Sequence, residues 1–375
     1  KRQGEGTAML EIINDLAPDA NLLFATGFVG GAAGMANAIQ SLTAAGSDII
    51  VDDLFFFNQS PFQDDIIANA AEDAISSGVT YFTSAGNYGN NNDATGSVYE
   101  GDYNPLTVSS GLEVHDYGGG AWTNQVFQSA NVYLFWNDPL GASDNDYDLL
   151  LYDAAGNFVL ASSDVQDGDD DPIEVISGLV ILPGDQLVVR RFSGEQRYFH
   201  LSVVSKQNPS LNFSTAGAIR GQGGADRVIT VAASSAQNRI SPFTGSESVQ
   251  NFSSDGNRRV FFDRNGVAYT PGNFSATGGQ VRPKPDVTAA DCVRTEPPGF
   301  SPFCGTSAAA PHAAAIGALM LSARPELTRE QMLAAMSAGA LDIEAVGRDR
   351  DSGIGIVTAD GSMDAITSTP GAPLL

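Results

Sequence analysis

Strand and helix patterns alternate along the first hundred residues, and this alternation constrains the fold more than any other feature of the chain. Thr7 to Leu16 carries Met9, Ile12, Ile13 and Leu16 at helical spacing, and Ala17-Pro18 ends it. Ala20 to Thr26 (ANLLFAT) reads as a short apolar strand, and Gly31 to Ala45 as a small-residue helix. Asp48 to Leu54 (DIIVDDL) is a strand without polar alternation until its end. Asp64 to Ser77 is helical, and Val79 to Ser84 is again a strand. Each helical crossover returns the next strand in the same direction, so the pattern predicts an α/β fold, a parallel sheet flanked by helices.

Near Val114 the pattern changes. From there to about Lys206 come short strands separated by Asn, Asp, Gly and Pro clusters: Asn131 to Trp136 (NVYLFW), Tyr147 to Tyr152 (YDLLLY), Leu187 to Arg191 and Phe199 to Val204. With both tryptophans of the chain, they describe a small β-sandwich or jelly roll. The α/β pattern then resumes with Val228 to Ala232, a helix over Ala308 to Leu321 and another over Thr328 to Ser337. The expected organisation is an α/β domain over 1–112 and 208–366, a β-sandwich inserted at 113–207, and a linker-like tail at 367–375.

Composition removes several function classes. The 375 residues contain 44 Asp plus Glu against 19 Lys plus Arg, a net charge of −25, and only three lysines. Nucleic acid and anionic membrane are excluded as partners, because both are bound by clustered cations. A hydrophobic fraction of 42% with 41 glycines fits a packed, turn-rich globule rather than a disordered acidic tail. The apolar run Ser307 to Ala323 is interrupted by Pro311 and His312 and reads as a core helix, not a membrane span. Cys292 and Cys304 are the only cysteines, and a disulfide and two reduced core thiols are both open. The start at Lys1, without a signal peptide, reads as mature; with the acidic balance it predicts a secreted or extracytoplasmic monomer.

The chemistry concentrates at Gly305-Thr306-Ser307-Ala308-Ala309-Ala310-Pro311-His312. This is a serine opening a small-residue helix, with a glycine before it that permits close approach and Pro311 expected in the first turn. The helix N-terminal N–H groups lie beside such a nucleophile and favour a developing oxyanion. The octapeptide resembles the nucleophile motif of the subtilisin-like serine peptidases. Ser84-Ala85-Gly86-Asn87 is similar to the subtilase segment that walls the specificity pocket, where the asparagine gives a side-chain N–H₂ to the oxyanion hole. Asp48 to Leu54 occupies the place of the strand that binds extended substrate, which puts Asp52 with Ser84, Ala85 and Gly86 among the substrate-binding residues. Arg282 to Val287 (RPKPDV) resembles the family's approach to the serine. The resemblance covers roughly residues 1–110 and 208–365 and implies an endopeptidase acting on protein or peptide through an acyl-enzyme on Ser307.

The departures are as informative. The family's triad needs Asp, His and Ser in that order, but His312 follows the serine, and His115 and His200 fall at or within the sandwich, where surface positions are expected. Glu5-Gly6-Thr7 stands where the family has His-Gly-Thr, so Glu5 replaces the histidine as general base. A glutamate there resembles the sedolisin or serine-carboxyl group, whereas Asn87 keeps the subtilisin pattern. On a helix Glu5 heads a stripe with Met9, Ile12 and Leu16, while Glu11 and Asp15 read as solvated. Only four residues precede Glu5, so the upstream aspartate either belongs to a segment ahead of Lys1 or the site is built otherwise, and Asp351-Ser352-Gly353 reads as a turn. Asp52 and Asp53 are the local candidates for a second carboxylate, with Asp53 where the family places a serine. Two close carboxylates sharing a proton would raise one pKa and suit Glu5 to acid–base work in acid. The rival reading is a catalytically inactive subtilase-fold scaffold that binds a protein partner.

No cofactor is required by this chemistry. Asp144, Asp146 and Asp148 alternate and would share one face of a strand, as oxygen donors to a structural Ca²⁺ would. Asp167, Asp169, Asp170 and Asp171 with Glu174 form a second acidic loop, and a solvated turn is equally open for both runs.

Overall fold

The computed structural model describes residues 4–127, 131–178, 181–205 and 210–368. Four strands, β1 (Ile49–Asp52), β2 (Thr80–Ser84), β3 (Ile229–Ser235) and β4 (Val287–Asp291), lie side by side in that order and are parallel throughout. The apolar runs of the sequence become these strands because both faces of the sheet are covered, which removes any need for polar alternation. α2 (Gly31–Ala44) and α3 (Ile66–Ser76) cover one face through Met35, Ile39, Ile67 and Ala71 against Ile50 and Tyr81. α4 (Thr306–Ala323) covers the other, setting Ala309, Ala313 and Met320 against Phe82, Ile229 and Val287. Its small residues let it lie close: a Cβ on Gly317 would stand 3.3 Å from both Ile49 and Phe82. α1 (Glu5–Leu16) leans on the start of α4, α5 (Arg329–Ala338) begins with a capping box between Thr328 and Gln331, and α6 (Ala359–Ser368) packs beyond them. Among the described residues no helix is long and apolar enough to cross a membrane.

Two antiparallel sheets sit on this frame. One runs Ile173–Ile176, Asn131–Trp136, Tyr198–Val204, Val98–Asp102; the other runs Pro105–Thr107, Glu113–His115, Gln186–Ser193, Asp146–Tyr152, Phe158–Ser162. They enclose a core of Trp136, Tyr147, Leu149, Val189, Phe199 and Leu201. The outer face of the first sheet is also apolar, and Phe135 and Tyr198 pack there against Phe62, Phe261 and Phe262 of the α/β part. The first antiparallel strand is Val98–Asp102, upstream of the boundary expected at 113; its VYEGD sequence carries too little apolar alternation to announce a strand.

Three expectations are corrected. Ala20 to Thr26 pairs with no strand among the described residues, and it leaves Leu22, Leu23 and Phe24 exposed. Pro311 is the sixth residue of α4, past the first turn, so its missing N–H leaves the Ser307 carbonyl without its helix donor. Thr367 and Ser368, expected in the tail, end α6, while 369–375 lie outside the described residues.

Candidate active site

Open parallel sheets gather functional groups at the carboxyl ends of their strands. Here β1 runs out into Asp53, β2 ends at Ser84 and β4 at Asp291. Asp291 accepts the Gly305 N–H at 2.9 Å, and the neighbouring Cys292 is disulfide-bonded to Cys304, so the turn before Ser307 is held from both sides. Gly305 has φ +117°, and a Cβ there would lie 3.0 Å from Asn87 Nδ2 and 3.6 Å from Ser307 Oγ. Only glycine fits this turn. Asn87 Oδ1 accepts from both the N–H and the hydroxyl of Thr306, each at 3.0 Å, and Thr306 Oγ1 in turn accepts the Gly86 N–H at 3.1 Å. With its oxygen held by Thr306, the Asn87 amide keeps its N–H₂ beside Gly305, at the helix start where the Ser307 N–H is one of the orphan donors.

The acids meet at the same place. Ser307 and Ser84 stand close enough to Asp53 for their hydroxyls to act on its carboxyl. Burial is the main reason that Asp53 is pushed up to about 7; the two hydroxyls pull it down, and the charges of Glu5 and Asp52 push it further up. Glu5 opens α1, whose Ala8 and Ile12 pack on Ala308, Phe300 and Phe303. The buried stripe of α1 therefore runs through Ala8 and Ile12, with Leu16 exposed, because the alanine gives the close approach that α4 requires. Glu11, expected in solvent, accepts the Glu296 N–H and ties α1 to the disulfide loop.

Asp52 turns elsewhere. Its carboxylate accepts from Tyr81 at 2.5 Å, Thr83 at 3.0 Å and Gln222 at 3.1 Å, and burial raises its pKa. It was expected with the substrate-binding residues; its carboxylate is instead spent bracing β1, β2 and the 221–224 turn. Ala85 is fully buried and bonded to β3, so within Ser84–Asn87 the cleft is lined by Ser84, Gly86 and Asn87, of which Asn87 alone is partly exposed. Glu5, Asp53, Ser84, Gly86, Asn87 and Ser307 line one cleft of about 2080 Å³, which continues between the 20–29 segment and the free edge of β1.

A model of the subtilase family matches residues 4–355. The chain belongs to the subtilase family. Among solved structures it is similar to the CspB protease of Clostridium perfringens, 14% identical over 90% of this chain and 72% of that one, with a TM-score of 0.55. It is also similar to the prenylagaramide maturation protease PagA (12% identity, 98% and 84% covered, TM-score 0.45). A third is fervidolysin from Fervidobacterium pennivorans (15% identity, 92% and 29% covered, TM-score 0.34). No curated protein matches the chain.

The three histidines of this subtilase stand away from Ser307. His312 donates from Nδ1 to the Ala308 carbonyl at 2.8 Å, and burial lowers its pKa. His115 and His200, expected at the surface, are buried. Asn104 N–H donates to His115 Nδ1 and Tyr99 contacts its Nε2, both at 3.0 Å, while His200 Nδ1 pairs with Glu100 at 2.6 Å. Burial lowers both to about 4. Neither the bonding nor the burial has a sequence signal, since a strand histidine reads the same on either face.

Of the expected Ca²⁺ donors, Asp146 and Asp148 are buried two apart on one strand, where burial and the Asp148 charge raise the Asp146 pKa. Asp148 also pairs with Arg190 at 2.9 Å, while Asp144 is exposed and accepts from Asn145. Among the described residues Asp167, Asp169 and Asp170, all exposed, form the one all-acid trio whose oxygens lie within 4.8 Å of one another.

Proposed function

We propose that this chain hydrolyses peptide bonds through an acyl-enzyme on Ser307, with the Glu5–Asp53 carboxyl pair in place of a histidine. The observation that carries the reading is the meeting of Ser307, Asp53, Glu5 and Asn87 in one cleft, with Asp53 pushed up to about 7 beside the Ser307 hydroxyl. Two close carboxyls share one proton over a range that ends near 7, where Asp53 loses its own. The ionised carboxylate takes the Ser307 proton as Oγ attacks the substrate carbonyl. The pair, then holding two protons, returns one to the leaving amine. The carbonyl oxygen gathers charge between the Asn87 N–H₂ and the Ser307 N–H. Water then attacks the ester, gives a proton to the pair, and Ser307 recovers its own as the acid product leaves. Asp53 is the member in contact with the nucleophile, and Glu5, the base expected from the sequence, is the second carboxyl that tunes it.

The substrate is proposed to be an extended protein or peptide segment beside Gly86 and Asn87, processed outside the cytoplasm by a monomer. The disulfide and the net charge of −25 support an oxidising, extracytoplasmic setting.

A fluorophosphonate probe applied from pH 3 to 8 tests the mechanism on wild type, Ser307→Ala, Glu5→Gln and Asp53→Asn. Wild type is expected to label only with all three residues intact, and its peptide hydrolysis is expected to fall as pH rises through about 7, where the pair loses the shared proton needed by the leaving amine. A rate profile flat to pH 9 would remove the carboxyl pair. Absence of labelling at any pH would leave the partner-binding scaffold as the function.

A further inference from the structure

One buried cation has no counter-ion. Arg220 is 4% exposed, its Nη1 has no hydrogen-bond partner, and its side chain forms no ion pair among the described residues. Its guanidinium lies 5.5, 5.6 and 5.8 Å from the ring centres of Phe57, Tyr133 and Phe135. These rings soften the isolation of the charge without supplying a hydrogen bond. Glu100, the carboxylate nearest in electrostatic effect, is already taken by Arg258, His200 and Tyr198. Burial accordingly lowers the Arg220 pKa to about 10. A buried charge is ordinarily paired, so this one is an exception that asks for a partner from outside.

The position of Arg220 says where that partner would come from. It immediately precedes the 221–224 turn, which Gln222 fastens to Asp52 at the end of β1. Phe57, the ring against its guanidinium, packs edge-on to Tyr88 with centroids 5.4 Å apart. Tyr88 lies over Gly86, where a Cβ would come within 2.7 Å of its ring, and its hydroxyl feels both Arg220 and Asp53. Phe55, Phe57 and Tyr88 line the cleft that contains Ser307. Behind the aromatic wall next to the nucleophile, then, stands an unpaired guanidinium.

We propose that Arg220 selects substrates with glutamate or aspartate immediately before the scissile bond. The acidic side chain would enter beside Gly86 and part the edge contact between Phe57 and Tyr88, and its carboxylate would pair with the guanidinium behind them. Arginine suits this role because its planar fork binds a carboxylate through two hydrogen bonds while its faces stay against the rings. A neutral isostere leaves the buried charge unpaired, and discrimination follows from that penalty. The inference rests on the peptidase reading, whose fate is decided separately by labelling of Ser307.

The test compares acetyl-Ala-Ala-Pro-Glu-p-nitroanilide with its Gln counterpart at pH 6 on the full chain. The Glu substrate is expected to exceed Gln in kcat/KM by about a hundredfold. Arg220→Gln should bring the two together, and Arg220→Lys should retain part of the preference, with circular dichroism confirming that both variants are folded. In parallel, Ser307→Ala is titrated with acetyl-Ala-Ala-Pro-Glu-amide and the Gln amide, so that binding is read without turnover. Equal handling of Glu and Gln in hydrolysis and in binding overturns the proposal, and this wild-type and Ser307→Ala comparison needs no Arg220 variant. Labelling of Ser307 with no acidic preference would sink this inference alone. Glu-selective binding without any labelling would sink the peptidase reading and keep the acidic pocket.

Discussion

The side-chain amide of Asn87 is oriented by what its oxygen accepts. Thr306 supplies both its N–H and its hydroxyl, so the amide cannot rotate without giving up two bonds at 3.0 Å, and its N–H₂ is kept beside Gly305. Donors fixed in advance are worth most where charge develops, because nothing need reorganise during the reaction. On the proposed mechanism, Asn87→Ala is expected to lower kcat by about 10²–10³, with little change in KM. Steady-state kinetics decide this, and an equal loss in KM would mean the residue binds ground state and transition state alike. Thr306→Val should show a smaller loss of the same kind, since it keeps the N–H bond and removes the hydroxyl.

At the scale of elements, the site depends on the loop that delivers Ser307. The disulfide Cys292–Cys304 closes a loop across a sequence separation of 12, immediately before Gly305, and Glu11 of α1 holds the same loop at Glu296. Loop-closure entropy for a ring of this size is about 3 kcal/mol. Replacing both cysteines by serine should cost about 2–3 kcal/mol in denaturant unfolding and slow probe labelling as well, because Gly305 and Asp291 lose their tether. An unchanged midpoint would show that the packing of Phe300 and Phe303 suffices. The elements of this region were largely legible in the sequence. β1, β2, α3 and α4 follow apolar runs and small-residue spacing, and the GTSAAAPH and SAGN motifs lie at the ends where chemistry would need them. What was not legible depends on partners distant in sequence. Ala20 to Thr26 has strand composition, but a strand exists only through a neighbour's hydrogen bonds, and here no described strand provides them. Val98–Asp102 is the reverse case, polar in sequence and made a strand by Tyr198–Val204. The contact of Asp53 with Ser307 was only half visible: adjacency to Asp52 was readable, the side of the strand each would take was not.

For the molecule as a whole, buried titratable groups couple stability to pH in the same range that the chemistry uses. Asp53, Glu174 and Asp351 are each pushed up to about 7, burial being the main cause in every case. For such a carboxyl the folded chain holds a proton that the unfolded chain has released. Its contribution therefore grows as pH falls below about 7 and levels off near the ordinary carboxyl range of about 4. His115 and His200, lowered to about 4, act with the opposite sign: their contribution is complete above about 6.5 and is lost as pH falls toward 4. Three carboxyls outweigh two histidines between about pH 7 and 5.5, and the net charge of −25 relaxes in the same direction as acids elsewhere begin to titrate. Stability is thus expected to rise by on the order of 2 kcal/mol from pH 8 to pH 5.5 and to level off toward pH 4. Thermal melts at constant ionic strength check this, and a midpoint that is flat or falling between pH 8 and 5.5 would contradict it. His115→Asn should extend the stable range downward, since the replacement keeps an acceptor for Asn104 and removes the group that must charge. With the proposed carboxyl pair, which works by sharing a proton, a chain whose fold is most secure in mild acid would have one range for both.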